Sequence, residues 1–142
     1  MIESAIINAL AVDPALRDLL STYGPEASPA IFSGMAPEDA ALPYVVLTIG
    51  RSEPEGPIQG FRFQLDIFDS DKSAANVRAA AERIEFLLDE CRLEHPRYSD
   101  IRIRMGDVED VGGDDPRDIH INMQFSARAT RTKWMVQTKE AV

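Results

Sequence analysis

The hydrophobic positions of the chain repeat with two different periods. Apolar residues recur every three or four positions in residues 2–12 and 14–21, where Asp13 is a candidate N-cap and Pro14 suits a first helical turn. The same spacing returns over residues 72–92, with charged side chains on the opposite face. These patterns predict a short N-terminal helical pair and one long helix.

Strand patterns separate and follow the helices. Residues 44–49 form a continuous apolar run, whereas residues 61–69, 101–105 and 118–130 alternate apolar and polar side chains. Residues 30–32 indicate a further, brief strand. The predicted order is ααβββαββ, an α+β fold in which a mostly antiparallel sheet of four to five strands packs against the long helix.

The connections carry their own signals. Residues 51–60 contain two prolines and two glycines and are predicted to project between two strands as a mobile loop, which at this length is often functional. Gly106 interrupts the alternation and predicts a bulge, while Gly112 and Gly113 mark a hairpin turn. Residues 94–100, with Pro96, are predicted to lead out of the long helix.

Length and composition indicate an ordinary globular chain. Its 142 residues, 44% hydrophobic and 27% charged, predict a single domain over 1–142, with 132–142 as a flexible or assembly-ordered arm. No apolar run approaches the roughly 20 residues of a membrane helix, and Glu3 stands where a secretory leader carries basic residues. We therefore expect no membrane association, and the lone Cys91 fits a reducing cytoplasm.

The net charge narrows the possible partners. A formal charge of −9 repels phosphate backbones, so tight wrapping of nucleic acid is not expected. A surface past which DNA merely slides would gain from the same charge, because attraction would slow the DNA.

Candidate chemistry is sparse. Cys91 and His95 with nearby glutamates lack the four-ligand pattern of a zinc site, and the acidic residues between 107 and 118 lack the spacing of a calcium loop. With two histidines and no nucleophile elbow, phosphate-binding loop or zinc-protease motif, the sequence predicts no enzyme, metal or cofactor. Because acidic residues are abundant, a catalytic pair of carboxylates is the one enzymatic arrangement that the sequence does not exclude.

One charge asymmetry has two interpretations. The hairpin over residues 107–118 holds six acids, whereas the tail from Arg128 to Lys139 holds four basic residues and no acid. In the first, the hairpin and the tail are simply solvated differently. In the second, the acidic hairpin of one subunit binds the basic tail of the next in a head-to-tail contact anchored by Trp134 and Met135.

Four segments resemble one protein family. The opening IESAIINALAVDPALRDLL, the strands ALPYVVLTIG and FRFQLDIFDSD, and the helix SAANVRAAAERIEFLLDE follow one another as in the tail completion, or tail terminator, proteins of long-tailed bacteriophages. None is a chemical motif, so the resemblance depends on order and spacing over most of residues 1–90.

The resemblance implies a structural role in the virion, with assembly in the cytoplasm of the bacterial host. It implies a homo-oligomeric ring, usually a hexamer, that caps the tail tube, joins tail to head and lets DNA pass through an acidic lumen. Its partners would be the tail tube protein and a neck or head-completion protein. The expected subunit or tube contacts are Arg51, Glu53, Glu55, Ile58, Asp110, Asp114, Asp115, Arg128, Arg131, Lys133 and Trp134.

Two alternatives compete with the terminator hypothesis. A neck or head-completion protein of the same virion would have a similar sequence pattern. A dimeric α+β module that binds a small ligand between sheet and helix belongs to another class. A fixed dimer with ligand-dependent melting would favour the module, whereas a hexamer, or a monomer that assembles only on a tube, would favour the phage protein.

Overall fold

The computed structural model of the chain describes residues 2–55, 57–70, 74–111 and 118–131. Of residues 51–55 and 74 it describes the backbone alone. It contains three helices within these ranges: α1 Ile2–Ala11, α2 Pro14–Leu19 and α3 Ala74–Leu88. The N-terminal pair lies where the sequence predicts it, because Asp13 accepts a hydrogen bond from the Leu16 amide and so begins α2.

The strands form a six-stranded sheet and a small two-stranded one. In chain order they are β1 Thr22–Tyr23, β2 Ser28–Pro29, β3 Ile31–Ser33, β4 Tyr44–Glu55, β5 Ile58–Ser70, β6 Arg92–His95, β7 Tyr98–Asp110 and β8 Asp118–Arg131. The larger sheet has the order β3-β4-β5-β8-β7-β6, antiparallel throughout except for the β3–β4 pair. This confirms the α+β class and the mostly antiparallel sheet, but the predicted strand number and element order were wrong.

Residues 51–55 and 58–60 belong to two paired strands and not to the projecting loop that the prolines predict. β4 continues to Glu55 and pairs with β5 after a register shift between Ile49 and Ser52. β3 pairs with β4 only opposite Val45, Val46 and Leu47, so Pro54 lies on an otherwise unpaired edge of β4 within the described residues. A proline is tolerated at such an edge because no ladder hydrogen bond from its nitrogen is required there.

The long helix ends earlier than predicted. α3 stops at Leu88, Glu90 adopts a left-handed φ of 58°, and Cys91 donates its amide to the Leu88 carbonyl at 3.1 Å. The predicted exit segment is largely strand, since β6 pairs with the start of β7. A four-residue strand is too short for its alternation to be distinguished from helical spacing. The bulge predicted at Gly106 is confirmed by a register shift between Met105 and Val108.

The helices pack on one face of a curled sheet. α1 contacts β3 and β6, which are the two opposite edges of the six strands. In a flat sheet these edges would stand about 24 Å apart, more than the ~10–12 Å diameter of a helix, so the sheet must curl around α1. The fully buried side chains at this interface are Ile2, Ile6, Leu10, Leu16, Leu47, Leu65, Ile67, Ile84, Leu88, Ile101, Ile103 and Met123.

An ion pair joins two of the helices at the margin of this core. The Arg83 guanidinium on α3 donates from Nε to Asp13 Oδ2 at 2.8 Å and from its terminal nitrogen to Asp13 Oδ1 at 2.6 Å. The hydrogen bond from Arg83 lowers the pKa of the buried Asp13 carboxyl, with the Leu16 amide also lowering it and burial opposing both. Asp13 thus caps α2 and holds α3 against it.

Replacing Asp13 with asparagine tests this pair through its pH dependence. Asparagine keeps the capping ability but removes the charge, so Asp13→Asn should lower the urea midpoint at pH 7. The lowered folded pKa means that the contribution is complete above the ordinary aspartate pKa of about 3.9 and disappears as the pH falls through the folded value. The difference from the wild type should therefore narrow in acid, with Asp18→Asn as the exposed control on α2. A pH-independent difference would contradict the charged pair.

Candidate assembly surface on the open face of the sheet

The outer face of the curled sheet is named here the open face. Pairing register places Val46, Asp66 and Asn122 side by side on this face, while their chain neighbours point into the core. Within the described ranges, the three helices pack on the opposite face, and most side chains of the open face away from its centre are exposed. The open face has three zones: an aromatic row, a polar cluster and an arginine patch.

The first zone is an aromatic row that begins on β1 and crosses four strands of the six-stranded sheet. Ring centroids follow one another from Tyr23 to Phe32 at 5.3 Å, to Tyr44 at 6.0 Å, to Phe68 at 5.4 Å and to His120 at 4.2 Å. Tilted, edge-on and stacked ring pairs at these separations are favourable. The row gives one end of the open face a rigid surface that is partly apolar.

The second zone is a polar cluster centred on Asp66. Asp66 Oδ1 accepts from Asn122 Nδ2 at 2.8 Å and lies 2.7 Å from His120 Nε2, while Oδ2 accepts from Gln64 Nε2 at 2.9 Å. Gln124 Nε2 in turn donates to Asn122 Oδ1 at 3.3 Å. Asp66 and Asn122 are buried although no helix covers them within the described residues, because neighbouring side chains shield them. Such a satisfied network holds strands β5 and β8 in one register.

The third zone is an arginine patch at the other end of the open face. Arg62 and Arg104 flank Ser126 across β5, β8 and β7, and the next polar row places Arg128, Arg102 and Arg92 opposite one another on β8, β7 and β6. All five are exposed. Asp100 lies 3.2 Å from Nε of Arg102 and 4.0 Å from Nε of Arg92. The patch is a local excess of positive charge on a chain whose net charge is −9.

The same hairpin that carries these arginines ends in carboxylates. Asp107, Glu109 and Asp110 at the end of β7, and Asp118 at the start of β8, are exposed and form what is named here the acidic end. β7 is therefore basic in its first half and acidic in its second. This polarity divides one strand into two oppositely charged surfaces.

The structure places the interface residues predicted from sequence at two ends of the sheet. Arg51, Glu53, Glu55 and Ile58 lie at the β4–β5 turn, where Ile58 is exposed, and Arg128 and Arg131 lie on β8. Asp110 belongs to the acidic end, whereas Asp114, Asp115, Lys133 and Trp134 lie outside the described residues. Pairing does not bring the β4–β5 turn and the acidic end together, since they occupy opposite ends of β5 and β8.

Most of the arginine patch was not predicted from the sequence. Arg62, Arg102 and Arg104 were recognised only as the polar members of alternating strands. Their shared location follows from the β5–β8–β7 pairing, which brings Arg62 to the same end of the face as Arg102 and Arg104, 40 and 42 positions further along the chain. A signal was present in the alternation of Ile101, Arg102, Ile103 and Arg104, which places both arginines on one face.

The chemistry of reactive groups is limited in the described part of the chain. Burial raises the pKa of the half-buried Cys91 thiol, with the nearby Asp89 charge adding to the effect, so the nucleophilic thiolate is disfavoured. Among the described residues, no group of three His, Cys, Asp or Glu side chains is placed to hold a metal ion. Within the same ranges, no helix is long and apolar enough to cross a membrane.

Sheet curl, a covered core face and a charged open face together define a structural α+β module. Comparison with known proteins makes the assignment specific. Residues 4–130 match the family model of tail completion protein gp17, and the chain belongs to that family. The resemblance noted in the sequence is thereby confirmed, and the chain is a structural protein and not an enzyme.

Solved structures show the same fold. A chain of the "Virion of native gene transfer agent (GTA) particle" superposes with a TM-score of 0.71 at 18% identity, covering 91% of this chain and 94% of that one. A second solved chain superposes with a TM-score of 0.63 at 10% identity, covering 91% and 93%. No curated protein matches at a significant level. The first of these two chains is part of a virion particle.

Removing the centre of the polar cluster tests its role in the sheet. Asp66→Ala would leave the donors of Asn122, Gln64 and His120 without their acceptor, at a cost of about 1–3 kcal/mol in the free energy of unfolding. Asp118→Ala, at an exposed position of β8, should change stability by less than about 0.5 kcal/mol. Urea denaturation of both variants measures the difference, and equal small effects would show that the network does not stabilise the sheet.

Proposed function

We propose that the chain caps the tail tube and joins it to the head, acting in the virion as a homo-oligomeric ring through which DNA passes. The observation that carries the proposal is the open face, a broad outer surface of the sheet with aromatic, polar and arginine zones. Family membership and the likeness to a chain of a virion particle support a structural role in the tail. The hexamer, the cap on the tail tube and the DNA lumen are the parts of the proposal that go beyond that role.

A ring explains why so much of the sheet is left without a cover. The half-buried row of aromatic side chains leaves apolar surface for a partner, and subunit contacts are enriched in aromatic residues and arginine. The open face offers both at once: Tyr44 and Phe68 at one end, and the arginine patch at the other. We assign the open face to contacts with neighbouring copies or with the tail tube protein.

The helical side of the molecule supplies the acidic surface that a DNA path requires. Glu82 and Glu85 on α3, with Asp89 and Glu90 just after it, are exposed and outnumber the basic Arg78 on the same side. Repulsion between such a wall and phosphate groups would keep DNA moving and not bound. Glu82 and Glu85 lie on the helical side of the sheet, whereas Glu90 borders Arg92, Arg102 and Arg104 of the arginine patch.

The β4–β5 turn and the C-terminal arm complete the proposed contacts. Ile58 is exposed and pairs with Glu55 at the turn. We assign Ile58, Arg51, Glu53 and Glu55 to contacts with a neighbouring subunit or the tube. The lateral or neck contacts are assigned to Asp110, Asp114, Asp115, Arg128, Arg131, Lys133 and Trp134. The remaining partner is a neck or head-completion protein, with assembly in the bacterial cytoplasm before incorporation into the virion.

A tightly filled core argues against the ligand-binding alternative. Leu65 and Met123 of the sheet and Ile84 of α3 are fully buried in one cluster, which fills the space between sheet and helix where such a module would hold its ligand. Assembly therefore remains the better-supported function.

The native mass in solution tests the proposal. Light scattering over a wide concentration range should give a hexamer-sized species, or a monomer that becomes a ring when tail tubes are added. Raised salt should loosen the assembly because charged surfaces contribute to it. A dimer that is fixed across concentration and salt, and that does not bind tubes, would contradict the ring and favour the ligand-binding module.

A further inference from the structure

We propose that the arginine patch of one subunit binds the acidic end of the next subunit, so that the β7–β8 hairpin is both donor and acceptor of one repeated contact. The inference depends on the proposed homo-oligomer and names the surfaces that join it. The receiving surface is formed by Arg62, Arg104, Arg102, Arg128 and Arg92, and the inserted surface by Asp107, Glu109, Asp110 and Asp118.

Distance prevents the two surfaces from neutralising each other within one subunit. Asp107 to Asp110 follow Arg104 by three to six residues on the strand, which corresponds to about 10–20 Å at a rise of ~3.4 Å per residue. The Debye length at physiological ionic strength is about 8 Å, so charges at this separation are largely screened from one another. Contact between the carboxylates of the acidic end and the patch therefore requires a second molecule.

The pairing of the strands gives the patch a cost in the isolated subunit. Arg128 lies directly opposite Arg102, and Arg102 lies directly opposite Arg92. Like charges at directly opposed positions of a sheet destabilise it. Asp100 offsets part of this repulsion, since it is close to Arg102 and Arg92. Carboxylates from a neighbour would add further attraction at the patch.

In the proposed ring the contact repeats head to tail, because the patch and the acidic end are different surfaces. Such a heterologous contact closes into a ring when the rotation between copies allows it. A twofold dimer would join the same two surfaces reciprocally, the patch of each copy on the acidic end of the other, and a mass fixed at two subunits would therefore contradict the ring.

Charge reversal tests the contact in the full chain. Two double variants are compared, with all substitutions at exposed positions. One carries Arg62→Glu and Arg104→Glu in the patch, and the other carries Glu109→Lys and Asp110→Lys at the acidic end. Each pair of substitutions should weaken self-association in sedimentation velocity by about tenfold or more, because attraction becomes repulsion at the same contact. Thermal melting verifies that each variant is folded.

Restoration distinguishes the contact from a general effect of charge. An equimolar mixture of the patch and end variants should associate again, since each then offers the surface that the other lacks. A chain carrying all four substitutions keeps the net charge of −9 and should associate alone. Matched controls on the helices, Arg17→Glu with Arg78→Glu and Glu82→Lys with Glu85→Lys, change the charge equally and should leave association intact.

Three outcomes would overturn the inference. If neither pair of substitutions changes the assembly, the proposed ring is still supported but this contact does not hold it together. Loss of association without restoration in the mixture would show a nonspecific charge effect. A wild type that stays monomeric at the highest concentration and lowest salt would show that the two surfaces do not bind each other, even if rings form on added tubes.

A nucleic-acid partner is the competing occupant of the patch. Binding of a short DNA duplex to the wild type, lost in the Arg62→Glu and Arg104→Glu variant while self-association is unchanged, would assign the patch to phosphate groups and contradict the subunit contact. The proposed contact predicts the converse: negligible duplex binding by the wild type at physiological salt and a loss of association in the variant.

Discussion

The curl of the sheet around α1 is the constraint on which the rest of the structure depends. α1 is a ten-residue helix, and it reaches both edges of a six-stranded sheet. Burial of Ile2, Ile6 and Leu10 requires those edges to approach each other. The register shifts at Ile49/Ser52 and Met105/Val108 allow the bending, because bulges increase the local twist of a strand. One face becomes the inside of the molecule and the other its outer surface.

That division explains why the outer surface is ordered without a covering helix. The Asp66 cluster fixes the register of β5 and β8 by hydrogen bonds, and the aromatic row crosses from β3 to β8. Both features hold the open face rigid before any partner arrives, which lowers the entropic cost of assembly. A rigid surface with charged zones at fixed spacing suits a component that must join identical copies in one geometry.

The sequence predicted the features that depend on local patterns. The α+β class, the N-terminal pair capped by Asp13 and the bulge near Gly106 follow from periodicity and from backbone preferences. It misplaced features that depend on distant pairing. Residues 51–55 were assigned to a loop because of their prolines and glycines, although pairing with β5 extends β4 to Glu55. β6 was missed because four residues provide too little alternation.

The candidate surface shows the same limit. Single residues such as Arg128 and Asp110 could be selected from local charge, but the arginine patch is formed by four strands whose pairing the alternation of each strand does not specify. The order β5-β8-β7-β6 brings Arg62, Arg104 and Arg92 to one end of one face. Sequence alternation gives the face of each arginine, and only the register between strands gives their proximity.

Burial of the open face in the assembled particle is the central claim, and hydroxyl-radical footprinting tests it most directly. The isolated subunit and the assembled form would be exposed to radicals, and oxidation compared by mass spectrometry. The account predicts protection of Tyr44, Phe68 and His120 on the open face, with unchanged oxidation of Phe86, which is 73% exposed on the helical side. Protection of Phe86 with full reactivity of the open face would contradict the account.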